Sequence, residues 1–284
     1  MNYILLLMIT LGTVVQSLAR KEYNKKISNG AFTFSAASVL FALLFFLLCM
    51  KGKFSITLES FWCAIGFAVT YMIACVGLHY AILTGPLSIT TLFSSYSLLI
   101  PTLYGLLVCN ERITLNLLFG ILLLLLSVFF VYRETGEEKK ITGRWLFWSI
   151  LAFVGNGGCS VLQKVQQDFS GGLYGNEFMV VALTVSLIGM FIFALAVERT
   201  DIRKNLKKGI ATYTVCGISN AIVNFLVLYL VNHLPSSVMF PVITAGGIVI
   251  TTLISILCYH EKLSSFQYIG IIFGVGSVVF LNLV

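Results

Sequence analysis

The chain has 284 residues, of which 58% are hydrophobic and 10% are charged, and its formal net charge is +7. Soluble domains usually carry about 25% charged residues, so this composition excludes a soluble globule and predicts an all-α integral membrane protein. The basic residues cluster in short segments beside apolar runs, where they meet lipid headgroups, so we assign them no nucleic-acid role.

Apolar runs long enough to cross about 30 Å of hydrocarbon predict ten transmembrane helices, five on each side of the charged segment 133–144. The first five spans are predicted at residues 3–19, 31–50, 61–83, 86–108 and 113–132. The second five are predicted at residues 145–163, 177–197, 210–232, 236–258 and 264–283. So little chain lies between the runs that no soluble catalytic domain is expected.

The second half of the chain repeats the first. At a shift of 149 residues the matches are Tyr80 with Tyr229, Pro86 with Pro235, Ser88 with Ser237 and Thr102 with Thr251. At a shift of 150 they are Glu111 with Glu261, Gly120 with Gly270, Ile121 with Ile271, Val128 with Val278 and Phe130 with Phe280. Because each copy has an odd number of spans, the pattern predicts two inverted-topology five-helix repeats, residues 1–138 and 139–284.

Carboxamide side chains are costly to bury in hydrocarbon and seldom lie there without a partner. Along one face, span six and its exit carry Asn156, Ser160, Gln163 and Gln167. Span one carries Gln16, and span eight carries Asn220 and Asn224. Two interpretations stay open. These groups either cross-link helices by hydrogen bonds or line a cavity that holds a solute.

A stripe of hydroxyl side chains follows the fourth span and recurs in the ninth: Thr84, Ser88, Thr91, Ser95 and Thr102, then Ser237, Thr244 and Thr251. Helix packing explains such a stripe, and a wet wall facing a substrate is the alternative. Tyr80 and Tyr229 offer aromatic faces for a flat or cationic solute, or belong to the interfacial belt. The candidate substrate-binding residues are Gln16, Tyr80, Ser95, Asn156, Ser160, Gln163, Asn220, Asn224, Tyr229 and Thr244.

All eleven Asp and Glu residues lie in loops or within a few residues of a span boundary, Glu177 at the very start of the seventh span. The chain has no Walker A, GxSxG or HExxH motif. We therefore expect no enzyme activity, no cofactor and no metal, and an uncharged cavity. Lys21 and Lys164, at the ends of the first helix of each copy, are expected to reach the interface, with contact to a carboxylate or phosphate as the alternative. His79, within span three, is expected at the membrane edge, with proton coupling as the alternative.

The segment from Glu261 to Gly270, followed by a Gly-rich apolar helix, has a counterpart in Glu111-Arg-Ile-Thr with Gly120 nine residues on. Both resemble the signature that ends each half of EamA-like members of the drug/metabolite transporter superfamily. The resemblance implies a ten-helix basket around a central cavity, alternating access, and small metabolites carried across the plasma membrane. The two carboxylates are expected to cap the helices that follow them, with a substrate or proton site as the alternative. The two glycines are expected to allow close helix contact.

Orientation has two readings. Four basic residues lie on the side of the termini (Lys51, Lys53, Arg112 and Lys164) and fourteen on the other, which predicts external termini; the resemblance implies the reverse. We expect a multi-pass plasma-membrane secondary transporter that exports a small neutral or zwitterionic, amino-acid-like metabolite. The alternative is a lipid-headgroup flippase or a non-transporting scaffold. The coupling ion and oligomeric state stay open.

Overall fold

A computed structural model describes residues 2–27, 30–50, 54–84, 94, 96–111, 113–132, 142–259 and 265–282. Within these ranges the chain forms ten α-helices and no β-strand. The first half contains α1 (Asn2–Lys26), α2 (Ala31–Cys49), α3 (Leu58–Thr84), α4 (Leu99–Leu107, after a 3-10 turn at Tyr96–Leu98) and α5 (Leu115–Tyr132). The second half contains α6 (Gly143–Ser170), α7 (Gly175–Val197), α8 (Ile202–Leu230), α9 (Ser236–Tyr259) and α10 (Ser265–Asn282).

The helices follow the predicted apolar runs, with three extensions. Helix α1 continues to Lys26 rather than ending at residue 19, α8 begins at Ile202 rather than at 210, and α6 continues to Ser170. At the start of α6, the Thr142 hydroxyl accepts a hydrogen bond of 3.2 Å from the Trp145 N–H, and at its end Gly171 has a φ of 60°, a typical helix terminator. The added segments carry charged side chains. The prediction left them out because an apolar run ends at the first charged residue, whereas a helix can continue past it.

Six helical segments of the described chain are long and apolar enough to cross a membrane by length and composition: Asn2–Asn24, Ala31–Cys49, Leu58–Ala81, Gly143–Ser170, Gly175–Val197 and Ile202–Leu230. Shorter apolar helical segments are Leu115–Ser127, Ser236–Gly247 and Tyr268–Ser277. The predicted fourth span, 86–108, lies partly outside the described residues. The described chain is therefore all-helical, with six candidate membrane spans.

The helix contacts have the same pattern in both halves. Helix α3 packs along α6, and its counterpart α8 packs along α1. Helix α2 contacts α8, and its counterpart α7 contacts α3. Three further contacts, α2 with α7, α4 with α9 and α5 with α10, join helices at the same position in the two halves. The pairs of helices in contact across the two halves therefore follow an approximately two-fold symmetric pattern.

Two buried serines show how α5 and α10 run. The Ser127 hydroxyl donates to the Gly270 carbonyl at 2.6 Å, and the Ser277 hydroxyl donates to the Gly120 carbonyl at 2.7 Å. The later part of each helix thus meets the earlier part of the other, so the two helices are antiparallel. The contact also agrees with the close helix approach expected at Gly120 and Gly270.

Close backbone approach recurs between α1 and α8 and between α6 and α3. A Cβ on Gly155 would lie 2.6 Å from the backbone nitrogen of Ala74, and a Cβ on Gly12 would lie 2.5 Å from a methyl carbon of Val223. Ala74 and Val223 are 149 residues apart, the same shift that relates the two halves. The two glycines therefore make equivalent contacts.

Two carboxylates join the halves at helix N-termini. Glu198 is 2% exposed and accepts hydrogen bonds from the N–H groups of Phe32 and Thr33, at 2.8 and 2.9 Å, at the start of α2. Glu111 accepts from the N–H groups of Ser236 and Ser237, at 2.9 and 2.8 Å, at the start of α9. A carboxylate there satisfies unpaired amides and complements the helix dipole.

The second of these contacts corrects an expectation. Glu111 does cap a helix, but the helix is α9 of the other half and not α5, which follows it in sequence. The physical reason is that α9 brings two unpaired N–H groups to the carboxylate, whereas the Thr114 hydroxyl already accepts from the Leu117 N–H at the start of α5. Glu261, for which the same was expected, lies outside the described residues.

Candidate functional site

Four carboxamide side chains form a continuous hydrogen-bonded chain across three helices. Asn220 of α8 donates to Gln16 of α1 at 3.2 Å, and Asn224 donates to Asn220 at 3.2 Å. Gln163 of α6 then donates to Asn224 at 2.8 Å. We call Gln16, Asn220, Asn224 and Gln163 the carboxamide chain. All four were candidate residues in the sequence, and the structure brings them together.

The carboxamide chain faces away from lipid. On α8, large apolar side chains on the opposite side of the helix are exposed, including Val215 at 47% and Ile218 at 43%. Asn220 and Asn224 lie one turn apart on the face that is turned towards α1 and α6. Intramembrane polar groups usually face a bundle interior or a water-filled cavity, and the geometry here agrees with that rule.

Asn156 and Ser160 continue the same face of α6 before Gln163. Asn156 is exposed and Ser160 is half-buried, and neither makes a side-chain hydrogen bond with the described residues. The lipid-facing side of α6 is elsewhere, because Phe147 and Val154 are 56% and 52% exposed on the opposite side of the helix. Asn156 is therefore exposed on the side of α6 that carries Ser160 and Gln163, away from these apolar side chains.

Helix α3 carries polar side chains at the positions equivalent to Asn220 and Asn224. Tyr71 and Cys75 lie 149 residues before Asn220 and Asn224 and hold the equivalent positions in the first half. The Cys75 thiol is within interacting reach of the side chains of Tyr71, Ser35 and Arg20. A phenol and a thiol of α3 and a guanidinium of α1 therefore lie close together.

Arg20 is a functional candidate that the sequence analysis missed. The predicted first span ended at residue 19, which placed Arg20 in a loop, whereas α1 continues to Lys26. The guanidinium carbon lies 5.8 Å from the centre of the Phe34 ring, a cation–π geometry, and the side chain is half-buried. The signal in the sequence was its spacing of four residues from Gln16, which puts both on one helix face.

Among the described residues, Arg20 forms no ion pair. The ion pair observed there joins Lys164 and Asp168, with a nitrogen–oxygen distance of 2.9 Å. Arg20 therefore places one positive charge on α1, one turn after Gln16, which the expectation of an uncharged cavity did not include. Lys164 lies within α6, which continues past the predicted span end, and donates to the Val231 carbonyl at 3.3 Å. A cation at the end of α8 favours that helix terminus, which gives Lys164 a structural role.

The remaining candidates do not join the carboxamide chain. Tyr80 stacks on Trp148 with ring centres 4.7 Å apart, and Tyr229 is 40% exposed and stacks on His233 at 4.4 Å. The Thr244 hydroxyl donates to the Phe240 carbonyl of its own helix at 3.0 Å, which is the packing interpretation of the hydroxyl stripe. Ser95 lies outside the described residues.

A separate crevice of about 740 Å³ opens where α6 and α8 end and α7 begins. Tyr229, His233 and Gln167 contribute to its walls. Gln167 accepts a hydrogen bond of 2.6 Å from Asn232, and Gln166 donates to the Leu173 carbonyl at 3.0 Å. These amides fix the ends of α6, α7 and α8 to one another, so we assign them a structural role.

Cys109, in the turn after α4, lies near the same end of the molecule. Its sulfur is 3.9 Å from a carboxylate oxygen of Asp168. Burial and the negative charge of Asp168 raise the pKa of the Cys109 thiol, so this residue stays protonated at neutral pH. Within the described ranges, no three His, Cys, Asp or Glu side chains come close enough together to hold a metal ion.

Comparison with known proteins supports the fold and the class. Residues 143–283 match the model of the EamA-like transporter family, and no curated protein matches the chain by sequence. One solved crystal structure aligns with 99% of this chain over 96% of its own chain, with a TM-score of 0.75 and 12% sequence identity. This similarity shows the fold alone. Through its second half, the chain is a multi-pass membrane protein of the EamA-like transporter family, within the drug/metabolite transporter superfamily.

Proposed function

We propose that the protein is a secondary transporter that exports a small neutral or zwitterionic, amino-acid-like metabolite across the plasma membrane. The observation that carries the proposal is the carboxamide chain together with the unbonded amide of Asn156 on the same interior face. A scaffold has no need of unpaired polar groups in its interior, because each costs free energy. A carrier needs them to replace the hydration of its solute.

The proposal includes two inverted-topology repeats of five transmembrane helices each. The antiparallel packing of α5 on α10 supports it, as do the equivalent contacts of Gly12 and Gly155. Transporters of this design rock one repeat against the other around a fixed central site. The hydrogen bond between Gln16 and Asn220, which belong to different halves, supports the carboxamide chain as that site.

The carboxylate contacts suit such a movement. Helices α1 and α8 are antiparallel, because Gly12 meets Val223 while Tyr23 meets Gly209. The start of α2, capped by Glu198, and the start of α9, capped by Glu111, therefore lie at opposite ends of the molecule. Each contact joins the two halves near one membrane face. In alternating access the two faces open in turn, so we propose that the two contacts loosen in turn.

The test is solute exchange in proteoliposomes that contain the purified full-length protein and a panel of labelled amino acids. The double variant Asn220→Ala, Asn224→Ala is expected to lose at least tenfold in exchange rate while it keeps the fold of the parent in detergent. Asn176→Ala is a matched control, because Asn176 lines the separate crevice and is not part of the carboxamide chain. Unchanged exchange in the double variant would remove these residues from the mechanism.

The alternative is a lipid-headgroup flippase, for which the crevice at the end of α6 gives one specific reason. The crevice is open and lined by polar groups including Asn176 and Glu177, as a headgroup site would be. Fluorescent-lipid scrambling assays in the same proteoliposomes separate the two functions. Lipid translocation that survives loss of the carboxamide chain favours the flippase, and its absence favours solute transport.

A further inference from the structure

Arg20 stands out because it carries a charge that other groups in the described structure do not neutralise. It lies on a membrane-spanning helix, and the ion pair observed among the described residues involves other side chains. A guanidinium within a span is costly unless it meets water, a partner or a ligand. Its position beside Phe34, Tyr71 and Cys75 directs that charge to the interior.

The two halves of the molecule place different chemistry at equivalent positions. Arg20 lies eight residues after Gly12, and Gln163 lies eight residues after Gly155, the glycine that makes the equivalent close contact. Gln163 donates to Asn224 on α8, and Arg20 in turn approaches the equivalent residue on α3, which is Cys75. The amide pair satisfies itself, whereas a thiol is a weak acceptor and leaves the guanidinium donors largely unused.

We infer that Arg20 binds the carboxylate of the transported solute, so that the solute is a monoanion or a zwitterion with a free carboxylate. This inference rests on the proposed transport function and narrows its substrate class. One guanidinium offers a planar fork of donors that fits a carboxylate in a bidentate way. A phosphate dianion would call for a second cation, which the described surroundings of Arg20 do not supply.

The rest of the solute then has a defined direction. Arg20 lies four residues after Gln16 on the same face of α1, and Gln16 is hydrogen-bonded to Asn220, so a solute with its carboxylate at Arg20 extends towards the carboxamide chain on α8. The amides suit hydrogen-bonding groups at the far end of the solute. Solutes without a carboxylate lose the charged contact and leave Arg20 desolvated, so they are rejected.

The test uses Cys75 as a reporter in a full-length variant whose other six cysteines are replaced. Two methanethiosulfonate reagents of similar size are compared, one ending in a sulfonate and one in a trimethylammonium group, each rate divided by its rate with free cysteine. Both attack the same thiolate, so any effect of Arg20 on the reactivity of Cys75 cancels in the ratio. We expect the sulfonate reagent to be favoured at least tenfold.

Arg20→Gln is expected to reduce that preference below threefold, and Arg20→Lys to keep most of it. Arg199→Gln is the matched control, because Arg199 is exposed beyond the end of α7 and its loss should leave the preference unchanged. An equal preference in the parent and in Arg20→Gln overturns the inference. So does failure of both reagents to label folded protein that they label after denaturation.

Protection of Cys75 from labelling then tests the carboxylate itself. The panel pairs each amino acid with its amide and each simple carboxylic acid with its methyl ester, and includes inorganic phosphate. Slower labelling with at least one acid and not with its neutral partner supports the inference. Equal protection by the neutral partners, protection by phosphate alone, or no protection by any acid overturns it.

The labelling result is independent of transport. If Arg20 fails the test while the Asn220 and Asn224 variant still loses exchange, the proposed function stands and only the carboxylate assignment is lost. If the anion preference depends on Arg20 but no solute is exchanged by the parent, then the anion site stands and the transport proposal fails.

Discussion

Ser127 and Ser277, which lie 150 residues apart, make the same hydrogen bond to the opposite half of the protein, each donating to a glycine carbonyl of the other's helix. Both side chains are fully buried. This reciprocal pair ties the last helix of one half to the last helix of the other. It is the clearest local sign of the symmetry that the repeat predicts.

Replacing either serine with alanine is expected to lower the free energy of unfolding by about 0.6 kcal/mol, the average for interhelical hydrogen bonds in a membrane. Ser186→Ala is the matched control, because that buried hydroxyl bonds the Ala182 carbonyl of its own helix. Unfolding in mixed micelles measures both effects. A loss at Ser186 as large as at Ser127 would contradict an interhelical role.

The close approach of α6 to α3 predicts a strong effect at one glycine. Gly155→Ala places a Cβ 2.6 Å from backbone atoms of Ala74 that cannot move freely, and overpacking of this kind costs about 1–3 kcal/mol. Gly143→Ala should be tolerated, because no atom lies within 4 Å of its Cβ position. Melting temperatures in detergent compare the two. Equal melting temperatures would show that the helices separate easily.

Glu198 provides a test of the contact between the halves. Its carboxylate accepts hydrogen bonds from Phe32 and Thr33, and charged hydrogen bonds of this kind contribute about 1.5–3 kcal/mol. Glu198→Gln should lower stability by about that amount, since an amide has one acceptor oxygen and no charge. Asp201→Asn is the control, because the Asp201 side chain makes no capping hydrogen bond at the start of α8. A larger loss at Asp201 would contradict the assignment.

Two nearby glutamines on α6 are expected to have different roles: loss of one should reduce solute exchange, and loss of the other should reduce stability. Gln163→Leu is expected to reduce solute exchange at least tenfold with a stability loss of only about 0.6 kcal/mol, because it breaks one hydrogen bond beside a polar space. Gln166→Leu should mainly lower stability, since its amide bonds Ser60, Ser170 and the Leu173 carbonyl. Exchange assays and melting curves on both variants separate the roles. Identical profiles would refute the distinction.

Much of the architecture follows from sequence because hydrocarbon imposes simple rules. The second span, predicted at 31–50, is observed at Ala31–Cys49, since an apolar run of that length fixes both ends. The carboxamide chain was also predictable, because amides in a span need partners and Asn220 and Asn224 share a helix face. The pairing of Gln163 with Asn224 was not, since nothing local states which helices meet.

Arg20 and Glu198 show where the sequence interpretation fails. Both lie where an apolar run ends, so a charge there indicates a loop unless the helix is known to continue. The partners of Glu198 lie 165 and 166 residues away in α2, a distance that no local pattern reveals. Arg20 turns inward only because α1 continues to Lys26 and packs along α8.

The central claim, that an interior polar site is reached in turn from both membrane faces, is tested most directly by labelling a single cysteine at position 160. Ser160→Cys in a variant without other cysteines is reconstituted into sealed vesicles and treated with a membrane-impermeant maleimide from outside, or with the same reagent trapped inside. Val154→Cys, on the lipid face of α6, is the control that should react from neither side. The account predicts that position 160 reacts from both sides, and reaction from one side alone or from neither would contradict it.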